Sequence, residues 1–127
     1  MVQSPVAKKL QIKPGNKVLV LNAPDSFGQE LGSLLEGVSL SATLDGEFDV
    51  VISFYTQKTE AEADVNALRK SMGQAGILWV AYPKGTSKVA TDLNRDILRV
   101  SFEEKGLKAV SLVSIDSTWS AMRFKQV

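Results

Sequence analysis

Five apolar stretches along the chain are long enough to cross a sheet: Lys17–Asn22, Phe48–Tyr55, Ile77–Tyr82, Ala109–Ile115 and Trp119–Phe124. The first three carry apolar side chains almost without a break. That pattern suits strands covered on both faces, as in a parallel sheet, rather than strands with one wet face. Between them the spacing changes to that of helices. Phe27, Leu31, Leu34 and Leu35 share one stripe, and Ala61, Val65, Leu68 and Met72 share another. Leu93, Ile97, Val100 and Phe102 make a third.

Punctuation residues predict the boundaries. Ser4-Pro5 suits the start of a short helix through Val6 and Leu10, with Pro14-Gly15 as its stop. Ser26 with Gln29, and Thr59 with Glu62, have the spacing of capping boxes. Thr91 or Asp92 is placed to cap the third helix, and Gly37 and Gly106 to end helices. Segment 38–44 alternates like a half-buried strand and runs into Asp45-Gly46. Hairpin arm, short edge strand and extended connection all remain open for it. Asp116-Ser117-Thr118 joins the last two strands so closely that they must be antiparallel. Strands alternating with helices predict right-handed crossovers. The expected fold class is therefore α/β: a three-layer Rossmann-like, mostly parallel sheet with a C-terminal antiparallel hairpin, occupying residues 1–127 as a single domain.

Composition changes this picture mainly by exclusion. Fifteen basic against fourteen acidic residues give a net charge of +1, too little field to argue for nucleic acid or an anionic membrane. Lys8, Lys9, Lys13 and Lys17 are expected to form a solvated face. No apolar run approaches the ~20 residues of a membrane span, and no secretory pattern opens the chain, so the expected location is the cytoplasm. The chain has no histidine and no cysteine. The usual neutral-pH base, thiolate chemistry and Cys/His zinc sites are all excluded.

Two stretches resemble S-adenosylmethionine-dependent methyltransferases. Ile12-Lys13-Pro14-Gly15-Asn16-Lys17-Val18-Leu19-Val20-Leu21 is similar to that family's approach to its first strand. Phe48-Asp49-Val50-Val51-Ile52-Ser53, followed by Gly76-Ile77-Leu78-Trp79-Val80, is similar to its fourth and fifth strands. More narrowly, Leu21-Asn22-Ala23-Pro24, Leu78-Trp79-Val80-Ala81-Tyr82-Pro83-Lys84 and Asp116-Ser117-Thr118-Trp119-Ser120 with Arg123-Phe124 resemble a group of short bacterial proteins known only as a domain of unknown function. The departures are specific. The family's glycine-rich turn is replaced by Asn22-Ala23-Pro24-Asp25-Ser26-Phe27-Gly28. About one strand-helix unit is also missing before Phe48. The resemblance thus implies a truncated methyltransferase-like fold with a reduced cofactor site.

In an open parallel sheet, ligands collect outside the carboxyl ends of the strands. That rule selects Asn22, Asp25, Ser26, Thr56, Lys84, Asp116 and Trp119 as candidate ligand-binding residues. Asp45 is added because an acid near that spacing from the first strand can hold ribose hydroxyls. Each also has a structural role open to it: Asp45-Gly46 and Asp116 as turn braces, Trp119 as a cover over the sheet end. Trp79 is expected in the core, and Glu103-Glu104 in solvent. The expectation that follows is a non-catalytic domain binding a small molecule or a protein partner, without a cofactor. The alternative is a methyltransferase using S-adenosylmethionine in a reduced site. A structural subunit, such as a homodimer joined at a sheet edge, is a third reading.

Overall fold

The computed structural model describes residues 5–24, 27, 37–43, 46–73 and 76–126. Its centre is a six-stranded sheet in the order β2-β1-β3-β4-β6-β5. The strands are β1 (Lys17–Leu21), β2 (Ser39–Ser41), β3 (Val50–Phe54), β4 (Ile77–Pro83), β5 (Leu107–Ser114) and β6 (Trp119–Gln126). β2, β1, β3 and β4 are mutually parallel. β6 runs antiparallel to both of its neighbours, β4 and β5. The described helices are α1 (Pro5–Lys9), α2 (Lys58–Met72) and α3 (Arg95–Glu103).

Every residue of β3 is buried, as its position between β1 and β4 demands. Alternate side chains feed two cores. On one face Leu19, Val51, Leu78, Val80, Met122 and Phe124 meet the buried sides of α2 and α3. On the other, Val18, Val50, Ile52, Trp79, Ala81 and Ala121 pack with Ala7 and Leu10 at α1, and with Phe27. Trp79 is 1% exposed, and its indole N–H donates to the Leu10 carbonyl at 2.9 Å. The core role expected for this residue is what the structure shows.

Several boundaries differ from expectation for identifiable reasons. α1 does not run on to Pro14-Gly15, because Gln11 enters the left-handed region (φ 62°) and ends it. Segment 38–44 contains the edge strand β2, parallel to β1, so Gly46 is not the turn of a hairpin with β3. The Thr59–Glu62 capping box does not form, since α2 begins at Lys58 with Gln57 at its N-cap. The Lys58 N–H instead donates to Asp92 Oδ1 at 2.7 Å. Neither Thr91 nor Asp92 caps α3. Asn94 does, its side chain accepting the Ile97 N–H at 2.8 Å. The buried face of the helix carries Leu98, Ser101 and Phe102, and Val100, expected on the apolar stripe, is 47% exposed. Pro83 does not stop β4 short but forms its last rung, opposite Trp119. The Ser4 cap, the Ser26–Gln29 capping box and the stripe positions Leu31, Leu34 and Leu35 lie outside the described residues. No helix among the described residues is long and apolar enough to cross a membrane.

Candidate functional site

The strand order defines where a ligand belongs. From β1 the chain moves outward to β2 and then returns across β1 to β3. The order therefore reverses between β1 and β3. In open parallel sheets the crevice at such a reversal, outside the strands' carboxyl ends, is the ligand position. Leu21 is level with Ser53 in the ladder, so Asn22 on one side and Tyr55-Thr56 on the other flank that crevice.

The first residues after β1, Asn22-Ala23-Pro24, include no glycine, yet they make a glycine-like bend. Asn22 takes φ 58°, a conformation in which asparagine is among the few tolerated side chains. Asn22 and Ala23 are both exposed, so a small side chain and open backbone face the crevice. Opposite, the Thr56 carbonyl accepts the Thr91 hydroxyl at 2.6 Å, and Thr91 Oγ1 accepts the Leu93 N–H at 3.0 Å. The 84–94 loop is thereby tied to the end of β3. Just inside the rim, Tyr55 donates to Asp64 Oδ2 at 2.7 Å. Burial first, and then this acceptor carboxylate, push its hydroxyl pKa well above the ordinary tyrosine range.

The remaining candidates sit further along the same rim. Lys84 donates from Nζ to Ser114 Oγ at 2.5 Å, and its backbone N–H reaches the Thr118 carbonyl at 2.7 Å. Asp116 Oδ1 accepts the N–H groups of Thr118 and Trp119, each at 2.8 Å, bracing the β5–β6 turn. Trp119 is half-buried, edge-on to Phe54 with ring centroids 5.2 Å apart; Phe27 meets the same ring at 4.8 Å. It therefore covers the sheet end on the α1 face. The structure thus brings Asn22 and Thr56 together at the crevice and sets Lys84, Asp116 and Trp119 beside them around β4 and β6. Asp25, Ser26 and Asp45 lie outside the described residues.

Beyond β4, Tyr82, Lys84, Leu93, Asn94, Arg95 and Leu112 contribute to a cleft of about 590 Å³. Tyr82 and Arg95 were not selected from the sequence. Tyr82 closes an apolar strand and so resembles core. Arg95 was hidden by placing the α3 cap at Thr91 or Asp92 instead of Asn94.

This sheet, with its reversal between β1 and β3 and its inserted antiparallel strand, has the Rossmann-like fold of S-adenosylmethionine-dependent methyltransferases. A TehB-like S-adenosylmethionine-dependent methyltransferase from Corynebacterium glutamicum matches at 13% identity and TM-score 0.63, over 98% of this chain and 88% of that one. A second such enzyme, from Aquifex aeolicus, matches at 12% identity and TM-score 0.64, over 96% and 88% of the two chains. Magnesium protoporphyrin IX methyltransferase from Synechocystis PCC 6803, with bound S-adenosylhomocysteine, matches at 11% and 0.60, over 90% and 75%. No family model and no curated protein matches the chain. The likeness bears out the methyltransferase-like fold expected from Ile12–Leu21, and from Phe48–Ser53 followed by Gly76–Val80. It also corrects the expectation of a domain without a cofactor: these neighbours are S-adenosylmethionine-dependent enzymes or hold its demethylated product, so S-adenosylmethionine is the cofactor to test.

Proposed function

We propose that this chain binds S-adenosylmethionine in the crevice between β1 and β3 and acts as a methyltransferase with a shortened cofactor site. The observation that carries the reading is the reversal of strand order at β1/β3, flanked by the exposed left-handed turn at Asn22. The fold likeness supports this reading over a non-catalytic domain. The described residues fit the group in one specific respect. The bend at Asn22 turns the backbone as glycine would, so the chain can pass close to a bound nucleoside without the usual glycine-rich segment.

In this reading Asn22 hydrogen-bonds the amino-acid or ribose part, and Thr56 flanks the opposite side. Asp25, Ser26 and Asp45 are assigned to the same ligand through the segments after β1 and β2. When bound, S-adenosylmethionine would supply an activated methyl group for transfer to an acceptor's lone pair. The chain's own contribution is to hold the two reactants in line and keep water out, which is most of what such a displacement needs. Neither histidine nor cysteine is required for that.

Calorimetric titration with S-adenosylmethionine and S-adenosylhomocysteine, with ATP as control, tests the reading. The expected result is binding of the first two in roughly the micromolar range, weakened in an Asn22→Ala variant. Absence of binding by both would overturn it.

A further inference from the structure

The cleft beyond β4 lies on the α2/α3 face, while the crevice at Asn22 lies between β1 and β3. Strands are spaced about 4.8 Å apart, so the two are neighbours on one rim, separated by roughly two strand widths. The cleft's volume, about 590 Å³, falls within the range that holds small organic molecules. Leu93, Pro83 and Leu112 give it an apolar wall, with Leu112 44% exposed. Two of its polar groups, Lys84 and Arg95, are cationic. Lys84 is steadied by Ser114, and Arg95 stands at the start of α3, where the helix dipole adds positive potential. Asp96 is the one acid among the residues lining it, and it is shared between Arg95 at 3.7 Å and Arg99 at 4.0 Å.

Tyr82 points to a ligand independently of these charges. It is only 6% exposed, it lines the cleft, and its hydroxyl makes no hydrogen bond among the described residues. The ring is buried while the hydroxyl opens to the cleft, so a ligand acceptor there would replace water on a donor that the protein itself does not engage. Arg95 and Asp96 both act electrostatically on that hydroxyl, which sets it near the start of α3.

We infer that this cleft binds a small molecule carrying one anionic group on an apolar body, the anion on Lys84, Arg95 and the Tyr82 hydroxyl and the body against Leu93 and Leu112. Resting on the function proposed above, this molecule is the methyl acceptor. An anion alone lacks the apolar contact, and a neutral analogue forgoes the charge-assisted bonds to Lys84 and Arg95, so each should bind more weakly than the combination.

The test uses phenylacetate as probe, benzyl alcohol as its neutral counterpart and acetate as the anion without a body. Binding is followed by backbone amide NMR shifts, with S-adenosylmethionine titrated in parallel. The expected result is shifts at Lys84, Arg95 and Ser120 with phenylacetate, with both controls at least about tenfold weaker. Arg95→Gln and Tyr82→Phe should each weaken phenylacetate severalfold; Arg95 is 67% exposed at its side chain, so its replacement leaves the fold intact. Phenylacetate binding no better than benzyl alcohol, or unaffected by Arg95→Gln, would overturn the cleft assignment even if S-adenosylmethionine binds. Arg95-dependent phenylacetate binding without S-adenosylmethionine binding would uphold the ligand class and refute the acceptor role.

Discussion

The Asp92 carboxylate accepts the backbone N–H of Lys58 at 2.7 Å, so the loop that follows β4 caps the helix that precedes it. Gln57, the residue at the cap position, makes no side-chain cap bond of its own. One carboxylate therefore stabilises the start of α2 and anchors the loop that borders the cleft. Asp92→Ala should lower stability by about 1 kcal/mol, measured by urea unfolding. It should also raise amide exchange at Lys58 and along 84–94. An unchanged midpoint would mean that water replaces the carboxylate without loss.

Trp79→Phe should cost about 1–3 kcal/mol, because it deletes the bond to the Leu10 carbonyl while keeping most of the ring volume. The loss should concentrate where α1 docks. Proteolysis near residues 5–12 should accelerate while α2 keeps its protection. Trp119 would remain as the variant's sole tryptophan, so its emission near Phe54 reports whether the rim is undisturbed.

Alkaline pH should weaken the fold through tyrosine. Tyr55 is held protonated by burial and by its bond to Asp64, and Tyr82 chiefly by burial, with Arg95 opposing; both hydroxyl pKa values are raised. In the unfolded chain a tyrosine ionises near about 10. The folded state's advantage is thus fully present below that pH and is lost as pH climbs through the raised folded values. These are the chain's only two tyrosines, so absorbance titration of the folded protein should show no phenolate until well past pH ~10. Tyr55→Phe should flatten the alkaline fall in stability. A normal titration of both groups would refute the account.

Gly76→Ala should be among the most damaging conservative changes. A Cβ there would stand 1.7 Å from the Met72 carbonyl oxygen, a backbone atom that cannot rotate aside. The exit from α2 into β4 would have to shift, at a cost of about 1–3 kcal/mol or more. Thermal unfolding of the variant checks this directly. Retention of the parent midpoint would show that the α2–β4 junction is slack.

How much was legible in the sequence depended on whether a signal was local. The strands read at Phe48–Tyr55 and Ile77–Tyr82 declare themselves because strands buried on both faces need apolar side chains at nearly every position, Ser53 being the buried exception. The Asp116–Thr118 hairpin does so because a short connection leaves no other geometry. The α3 cap was misplaced for a physical reason. Thr91, Asp92 and Asn94 are all capping types, and tertiary bonds to Thr56 and Lys58 engage the first two. The order of the strands was not legible either, since nothing in Trp119–Gln126 announces insertion between β4 and β5. At the site, Asn22 and Thr56 followed from the rule about carboxyl ends. Tyr82 and Arg95 did not, because one looks like core and the other like a solvated helix charge until the cleft between them is seen.

β6 lies between two strands that both precede it in the chain. During synthesis, β5 therefore leaves the ribosome with no neighbour to pair with. A nascent chain stalled before Trp119 would hold four parallel strands, with the fifth packed only against α3 through Leu107 and its backbone groups open to any other extended segment. Arrival of β6 then adds two ladders at once, one to β4 and one to β5. Closure of the cleft wall at Leu112 and Ser120 belongs to that event, so ligand capture beyond β4 should appear only once β6 is in place.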